Sequence, residues 1–531
     1  MMPWHPLPKM HDHDDKKNVM SKTQVRSSVG SSKVRYSWRS FGADTDIEVI
    51  GWQATVGGMS ATLVDDLRRA LTPDRVRTDA TELTLYGRDA SNMTGRAVVV
   101  CFPLTTLEVQ SCVLAARHHG VPFVARGSGT GLAGGAVPPD GAVIIVLTKM
   151  NRVLSVDVPN RMAWVEPGVL NLDLSKQMAM HGLHFAPDPS SQQSCSIGGN
   201  VANNSGGPHC LAEGVTNGHI LGLEMVLPSG DIITLGGADA EPIGLDLRGV
   251  VVGSEGMLGV VTSVLVRLTP NPPAVKTMLL AFASTRAGAE TVSAIIAAGV
   301  LPAALEMMDA PITRAVEAFA HAGFPTDAEA VLIVEVDGLP NAVADAVERV
   351  CEIGEVHGAT SIRIAADANE RALIWKGRKS AFGAIAQIKP NYYLHDTVVP
   401  RAKLVEVLEQ VYAIADRHNL LVMNVFHAGD GNLHPLLVFD KREPGVMEHV
   451  HQAGDEIVAA SVAAGGVLSG EHGIGLEKRE YMSMMFSPVD LDLQARLRDV
   501  FDPDHISNSD KVLPSGSRCA DIDSLAPGMW I

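Results

Sequence analysis

The chain is short of cysteine, of positive charge and of long apolar runs, and each shortage removes a class of function. Its six cysteines, Cys101, Cys112, Cys195, Cys210, Cys351 and Cys519, form no C-x-x-C pair. That argues against an iron–sulfur cluster bound by this chain and for a reduced protein with buried thiols. Lysine and arginine number 43 against 60 acidic residues, a formal charge of -17. Such a surface repels a phosphate backbone, so nucleic acid is not an expected partner. The longest apolar stretch, Val292 to Met308, is broken by Gly299, Pro302 and Glu306, so no membrane-spanning helix is expected. No fixed-period repeat is present.

What is there describes a large globular protein. At 531 residues the chain exceeds one ordinary core, so at least two packed units are expected. Hydrophobic residues at 46% against 19% charged place it away from disorder. Only the beginning differs. Asp12, Asp14 and Asp15 precede a Ser-, Lys- and Arg-rich run over 21–40 that has no acidic residue. Residues 1–45 read as an extension without fixed structure; a transit segment and a start at Met20 are the alternatives. Order is expected from Asp46.

Periodicity predicts a helix over 105–120, opened by a Thr105/Glu108 capping box and stopped by Gly120. Apolar runs at 121–125, 142–147 and 163–165 predict strands, and 171–181 a helix before Gly182. Residues 198–207 read as a glycine and asparagine loop. Residues 221–227 and 232–235 flank Pro228-Ser229-Gly230-Asp231 as a hairpin, and 260–268 alternates as a strand. Thr269-Pro270-Asn271-Pro272-Pro273 marks a domain boundary. Beyond it, strands are expected at 331–336 and 421–426. Helices are expected at 402–418 and 448–464, the first with Leu404, Val405, Leu408, Val411, Tyr412 and Ala415 on one face. The expected domains are 46–270, 271–500, a return segment at 501–515 and a tail at 516–531.

Fifty glycines fall in clusters. Residues 129–134 satisfy G-x-G-x-x-G, but Pro138, Pro139 and Gly141 follow too soon for the helix a Rossmann loop requires. The run 127–135 instead offers backbone N–H groups and the Ser128 and Thr130 hydroxyls to a pyrophosphate. Clusters at 196–207 and 253–259 offer more, and three in one region favour a large phosphate-bearing cofactor over plain turns.

His427-Ala428-Gly429-Asp430-Gly431-Asn432-Leu433-His434 follows an apolar strand, and its glycines allow both imidazoles to converge. Ser469-Gly470-Glu471-His472-Gly473 is a second polar turn. Two histidines with Glu471 would suit a divalent cation of the zinc, manganese or iron class and leave His472 as a nearby base. The alternative is two unrelated turns, since spacing cannot join sites so far apart.

The glycine clusters resemble the FAD-binding domain of the vanillyl-alcohol-oxidase-like flavoproteins. APDPSSQ, CSIGGN, GSEGMLGV, LEMMD, HAGDGNLHP and SGEHGIG resemble the FAD-linked oxidases acting on D-2-hydroxy acids, glycolate-oxidising bacterial subunits above all, over about 78–514. The resemblance implies an α+β fold: a two-part FAD-binding domain and an α+β substrate (cap) domain. It implies that FAD is held by Arg126, Gly127, Ser128, Gly129, Thr130 and Gly131, by Pro187, Asp188, Pro189 and Ser190, and by Gly198, Gly199, Asn200, Asn203, Gly206 and Gly207. Glu255, Gly259, Val261 and Asn508 complete that set. No histidine lies in 127–135, so non-covalent FAD is implied. It implies His427, His434 and Glu471 as metal ligands, His472 as base and Arg378 as the substrate-carboxylate partner. Where relatives acting on a dicarboxylic acid carry a threonine and a lysine, this chain has Phe382 and Leu394, which implies a short acid, glycolate or D-lactate. Ser509 replaces a proline of the pattern, which implies a looser return segment. A second flavoprotein-like subunit, an iron–sulfur subunit and a quinone or other acceptor are implied partners. Location is then cytoplasmic, with peripheral membrane attachment through those subunits. D-lactate dehydrogenation is the alternative activity, and a non-catalytic FAD-binding subunit the alternative of another class.

Overall fold

A computed structural model describes residues 62–91, 93–239 and 244–515. The expectations for the extension at 1–45, for order from Asp46 and for the tail at 516–531 fall largely or wholly outside them.

The first sheet has four strands. Ala97–Cys101, Ala142–Val146 and Phe123–Arg126 run parallel, and Val76–Arg77 closes one edge antiparallel. Their unbroken apolar runs follow from cover on both faces. Val143 and Ile145 pack with Val109 and Val113 of the helix Thr106–His118, and Ile144 and Val146 pack with Tyr86 and Phe102. Thr105 caps that helix by accepting the Glu108 N–H. The predicted reciprocal bond does not form: the Glu108 carboxylate takes the Leu104 N–H and pairs with Arg75.

The second sheet is five-stranded and antiparallel, in the order Val153–Asp157, Met162–Val165, Val260–Arg267, Ile220–Val226, Ile232–Gly236. The hairpin turns at 228–231 as its sequence requires. One expectation is corrected. The glycine and asparagine run is not loop throughout, because Ile197–Asn203 is helical. Ser196 caps it by accepting the Gly199 N–H at 3.3 Å, and Asn204 ends it in a left-handed conformation. A capping serine outweighed the low helix propensity of two glycines. The Thr269–Pro273 turn is pinned as well, since Thr269 and Pro270 pair with His184 and Leu183.

From Ala274 a larger sheet begins, with the central antiparallel order Ala359–Ile364, Ala274–Phe282, Ala330–Gly338, Ala304–Asp309, Leu421–His427. Its two-residue period sorts two cores. Met278, Leu280 and Phe282 face the helices Thr285–Ala297, Pro340–Val356, Leu404–Arg417 and Val446–Ala463. Leu279 and Ala281 face Ala310–Ala320 and Ala368–Lys379. On Leu404–Arg417 the buried stripe adds Val407 and Ile414, while Val405 and Tyr412 are only partly covered. The chain then returns to the first sheet, where Ser507 bridges Phe123. Among the described residues no helix is long and apolar enough to cross a membrane.

Candidate active site

A cavity of about 460 Å³ lies between the glycine loops and the larger sheet's helices. Residues 126–131 line it, with Pro189, Ser190, Gly198, Gly199, Asn200, Asn203, Glu255, Gly259 and Val261. Close approach explains two of the glycines. A Cβ on Gly127 would stand 2.2 Å from Ser196 Oγ, and one on Gly129, where φ is +72°, 2.1 Å from the Arg126 guanidinium. The loop therefore packs closely on Ser196 and Arg126 while Gly127, Gly129 and Gly131 add little bulk to the lining, and Gly198–Asn200 present the first turn of a helix there, a natural place for phosphate oxygens. Size, backbone donors and the small glycine-rich loops fit FAD.

Five of the expected cofactor contacts do not line this cavity. The Pro187 carbonyl accepts from Asn171 at 2.8 Å, and Asp188 turns to His209, 2.9 Å from its Nδ1. Gly206 and Gly207 face a separate, smaller cavity. Asn508 stands behind the loops: its Nδ2 donates to the carbonyls of Gly135 at 2.9 Å and Glu255 at 2.6 Å. Its own N–H donates to Phe123 at 2.8 Å, so the segment is held despite the missing proline.

The two histidine motifs do meet. His427 ends a strand and His434 follows a tight return in which Asn432 pairs with His427. Glu471 Oε1 lies 3.3 Å from His427 Nε2 and 3.5 Å from His434 Nε2. The three ligand atoms fall within 4.8 Å of one another. His434 Nε2 is buried and makes no hydrogen bond. Glu471 is held down at about 2: burial opposes this, but His427 and the other imidazoles outweigh it. An orphaned ring nitrogen, a second imidazole and an ionised carboxylate converging on one point fit a divalent cation.

Two buried acids that the sequence reading did not single out organise this centre. Glu306 stands opposite His427 in the strand register, so Oε1 reaches His427 Nδ1 at 2.7 Å. That bond fixes the ring with Nε2 towards the centre. Asp396 gathers the second motif. It accepts from Ser469 Oγ at 2.6 Å, from the N–H groups of Gly470 at 3.1 Å and His472 at 3.0 Å, and from Lys478 Nζ at 3.2 Å. Burial resists its ionisation, yet Lys478 and His472 hold it well below the usual carboxylate range. For Glu306 the available signal was an acid inside the apolar strand Ala304–Asp309; Asp396 lies between two short strands, Asn391–Leu394 and Thr397–Val398, and its segment gave no such signal.

His472 lines the cavity, Nδ1 3.9 Å from Asp396 and Nε2 3.8 Å from Glu471. Burial, against the pull of Asp396, takes its imidazole down to about 4, so it is neutral near pH 7. Arg378 lines the cavity but is committed. Its Nε and Nη2 both close on Glu306 Oε2, at 2.8 and 2.7 Å. The next residue, Lys379, also lines the cavity, 4.0 Å from Asp188. Phe382 and Tyr392 line it with ring centroids 5.8 Å apart. Leu394, placed at the cavity by motif matching, instead belongs to the core beneath; Tyr392, two residues earlier on the same strand face, stands in front.

Residues 271–512 match the family model described as FAD linked oxidases, C-terminal domain, and 97–236 match the FAD binding domain. The chain is 43% identical over 430 residues to the glycolate oxidase subunit GlcD of Escherichia coli (strain K12), covering 81% of this chain and 86% of that one. It is 30% identical to the D-lactate dehydrogenase of Anaerostipes hadrus, covering 84% and 94%. Among solved structures, 4-ethylphenol oxidase from Gulosibacter chungangensis superposes with a TM-score of 0.70 at 17% identity, covering 85% and 96%. That likeness is one of fold.

Proposed function

This chain belongs to the FAD-linked oxidase family, and from that premise we propose that it oxidises a short 2-hydroxy acid, glycolate before D-lactate, to the 2-oxo acid. It is an FAD-dependent 2-hydroxy-acid oxidoreductase of the α+β, two-domain flavoprotein type. The observation that carries the choice of substrate is the balance of charge and rings on the cap side. Arg378 is held closely by Glu306, whereas Lys379 lies 4.0 Å from Asp188 and is the more loosely held cation on that side to meet one carboxylate. A second carboxylate would press on Phe382 and Tyr392 without a partner, which is costly. The 43% identity to a glycolate oxidase subunit supports glycolate, and the 30% identity to a D-lactate dehydrogenase keeps D-lactate as the second reading.

His427, His434 and Glu471 would hold the cation, which when bound would lower the substrate hydroxyl's pKa and orient it. The glycine loops would hold FAD non-covalently, and when bound it would supply the two-electron acceptor. The chain's own work is placement and proton transfer. His472 takes the hydroxyl proton at Nε2, the nitrogen on the side of Glu471, while Asp396 holds the residue by accepting its backbone N–H at 3.0 Å. Glu306 keeps His427 in one tautomer and Arg378 keeps Glu306 charged. Lys379 grips the carboxylate as a point charge.

Six cysteines without a cluster motif suit a chain that passes electrons on. The relatives named as subunits support work within a complex; the partners we infer for it are a second flavoprotein-like subunit, an iron–sulfur subunit and a quinone or other acceptor. Anaerobic flavin bleaching against glycolate, D-lactate, L-lactate and D-2-hydroxyglutarate tests the activity. Fastest bleaching by D-2-hydroxyglutarate would refute the short-acid reading. Bleaching by none would favour a non-catalytic FAD subunit. In Lys379→Met, KM for the acid should rise about tenfold with kcat changed far less. Acid precipitation should release the yellow chromophore, and a flavin that stays with the pellet would overturn non-covalent binding.

A further inference from the structure

Taking His427, His434 and Glu471 as the metal ligands, we propose that a second, smaller cavity behind them is the port through which the divalent cation enters and leaves while the flavin cavity is filled. This space measures about 110 Å³. A water molecule's share of liquid is about 30 Å³, so a cation with a few waters fits. Cys210, Val215, Val398, Asp430 and Asn432 line it, with His427 and Glu471 at its inner end.

The ligands divide between the two spaces. His427 opens on the small cavity and not on the large one, His434 on the large one and not on the small one, and Glu471 on both. The Glu471 carboxylate spans them atom by atom. Oε1 faces the two rings. Oε2 turns the other way, towards Gly206, where a Cβ would stand 3.1 Å from it and 2.9 Å from Cys210 Sγ. A side chain at 206 would crowd both groups, so glycine keeps the inner end open.

The lining is built for a cation. Asp430 and Glu471 supply carboxylates and Cys210 a sulfur, and neither lysine nor arginine lines the space. Asn432 is only 5% exposed, yet its Oδ1 has no hydrogen-bond partner. A buried acceptor left without a donor is costly unless something visits it. Val215 and Val398 are half-buried and supply the apolar side chains of the lining. Flavin and substrate would fill the large cavity and cover that side of the centre, and the smaller space would be the way left to the cation.

The test uses FAD-replete, metal-loaded protein and follows release of the cation, zinc or manganese, to a chromophoric chelator while flavin absorbance reports retention of FAD. Val398→Phe should narrow the space and slow release by about tenfold, a modest rise in barrier, with starting metal and FAD content unchanged. Val398→Leu should slow it less and guards against misfolding of the larger variant. Asp430→Asn should slow loading at low salt and flatten its dependence on ionic strength. Parent rates in both Val398→Phe and Asp430→Asn would overturn the port, as would release that keeps pace with loss of flavin. If the protein binds no divalent cation at all, the metal reading fails and the port with it. If it binds one and the rates do not move, the port alone fails.

Discussion

The two sides of the large cavity are made of different materials. On one side residues 126–131 and 198–200 offer backbone, with glycine where a Cβ would collide. On the other, buried charges stand in matched sets: Glu306 with Arg378 and His427, Asp396 with Lys478 and the motif of His472. A backbone surface is tolerant of which atoms it meets and strict about shape. A set of paired charges is strict about charge, because removing one member strands the others in a medium that cannot solvate them. Substitutions on the first side should therefore change how much FAD is held, and substitutions on the second should change chemistry and metal with FAD still in place.

The sharpest test of that division is His472→Ala. FAD and metal should both remain, while anaerobic flavin reduction by substrate falls about 100-fold or more, as for a missing general base. If His472→Ala loses metal as completely as His434→Ala, the separation of base from ligand is wrong. Glu306→Gln comes next. It leaves the metal ligands in place but removes the charge that orients His427, and the metal dissociation constant should rise about 10- to 100-fold. Metal titration in the presence of a competing chelator reads it directly. An unchanged constant would make Glu306 a partner of Arg378 and nothing more.

The backbone side should answer differently. Gly129→Ala puts a Cβ at a φ of +72° against a buried arginine. The left-handed conformation alone costs about 1–2 kcal/mol. FAD should be held about tenfold more weakly, with the rate of flavin reduction in the FAD-replete fraction close to the parent's. A reduced rate with full FAD occupancy would show that the two sides are not separable.

The same contrast explains what could be read from the sequence. Glycine loops announce themselves locally: 127–131 and 198–200 are contiguous, and three such clusters in one region already favour a large phosphate-bearing cofactor over plain turns. His427, His434, Glu471 and His472 lie in two short motifs, and matching those motifs to a family placed them together. Glu306 and Asp396 could not be reached that way. Glu306 acts because the register sets it opposite His427, and strand register is decided by long-range packing. Leu394 was misplaced for a related reason: which of two residues on one strand face stands at the front depends on where the strand ends in the sheet. The commitment of Arg378 to Glu306 was hidden too, since a basic run on a helix does not show which member is buried. The helix at 197–203 was missed because two glycines masked a good cap.

The smallest expected effect concerns the tie between the two sides. His209 follows the second glycine cluster; its Nδ1 lies 2.9 Å from Asp188, and its Nε2 lies 3.3 Å from Glu335 in the larger sheet. Glu335 also receives Arg371, Trp375 and Thr277. Burial alone would lower the His209 pKa, but Asp188 and Glu335 outweigh it and push it up to about 10. A pKa raised in the folded state means that the charged imidazole stabilises the fold, fully below its ordinary value near 6.5 and progressively less as pH climbs through about 10. Thermal midpoints of the parent should therefore fall between those limits. In His209→Gln the hydrogen-bonding atoms are partly kept but the charge is gone, so the midpoint should be lower than the parent's at pH 6 and the two curves should converge by pH 10. Flavin content should follow the same convergence, because Asp188 sits beside Pro189 and Ser190 on the cavity's edge. A parent and variant separated by a constant amount across that range would mean that His209 is neutral in the folded protein, and that packing rather than charge joins the backbone side to the charged one.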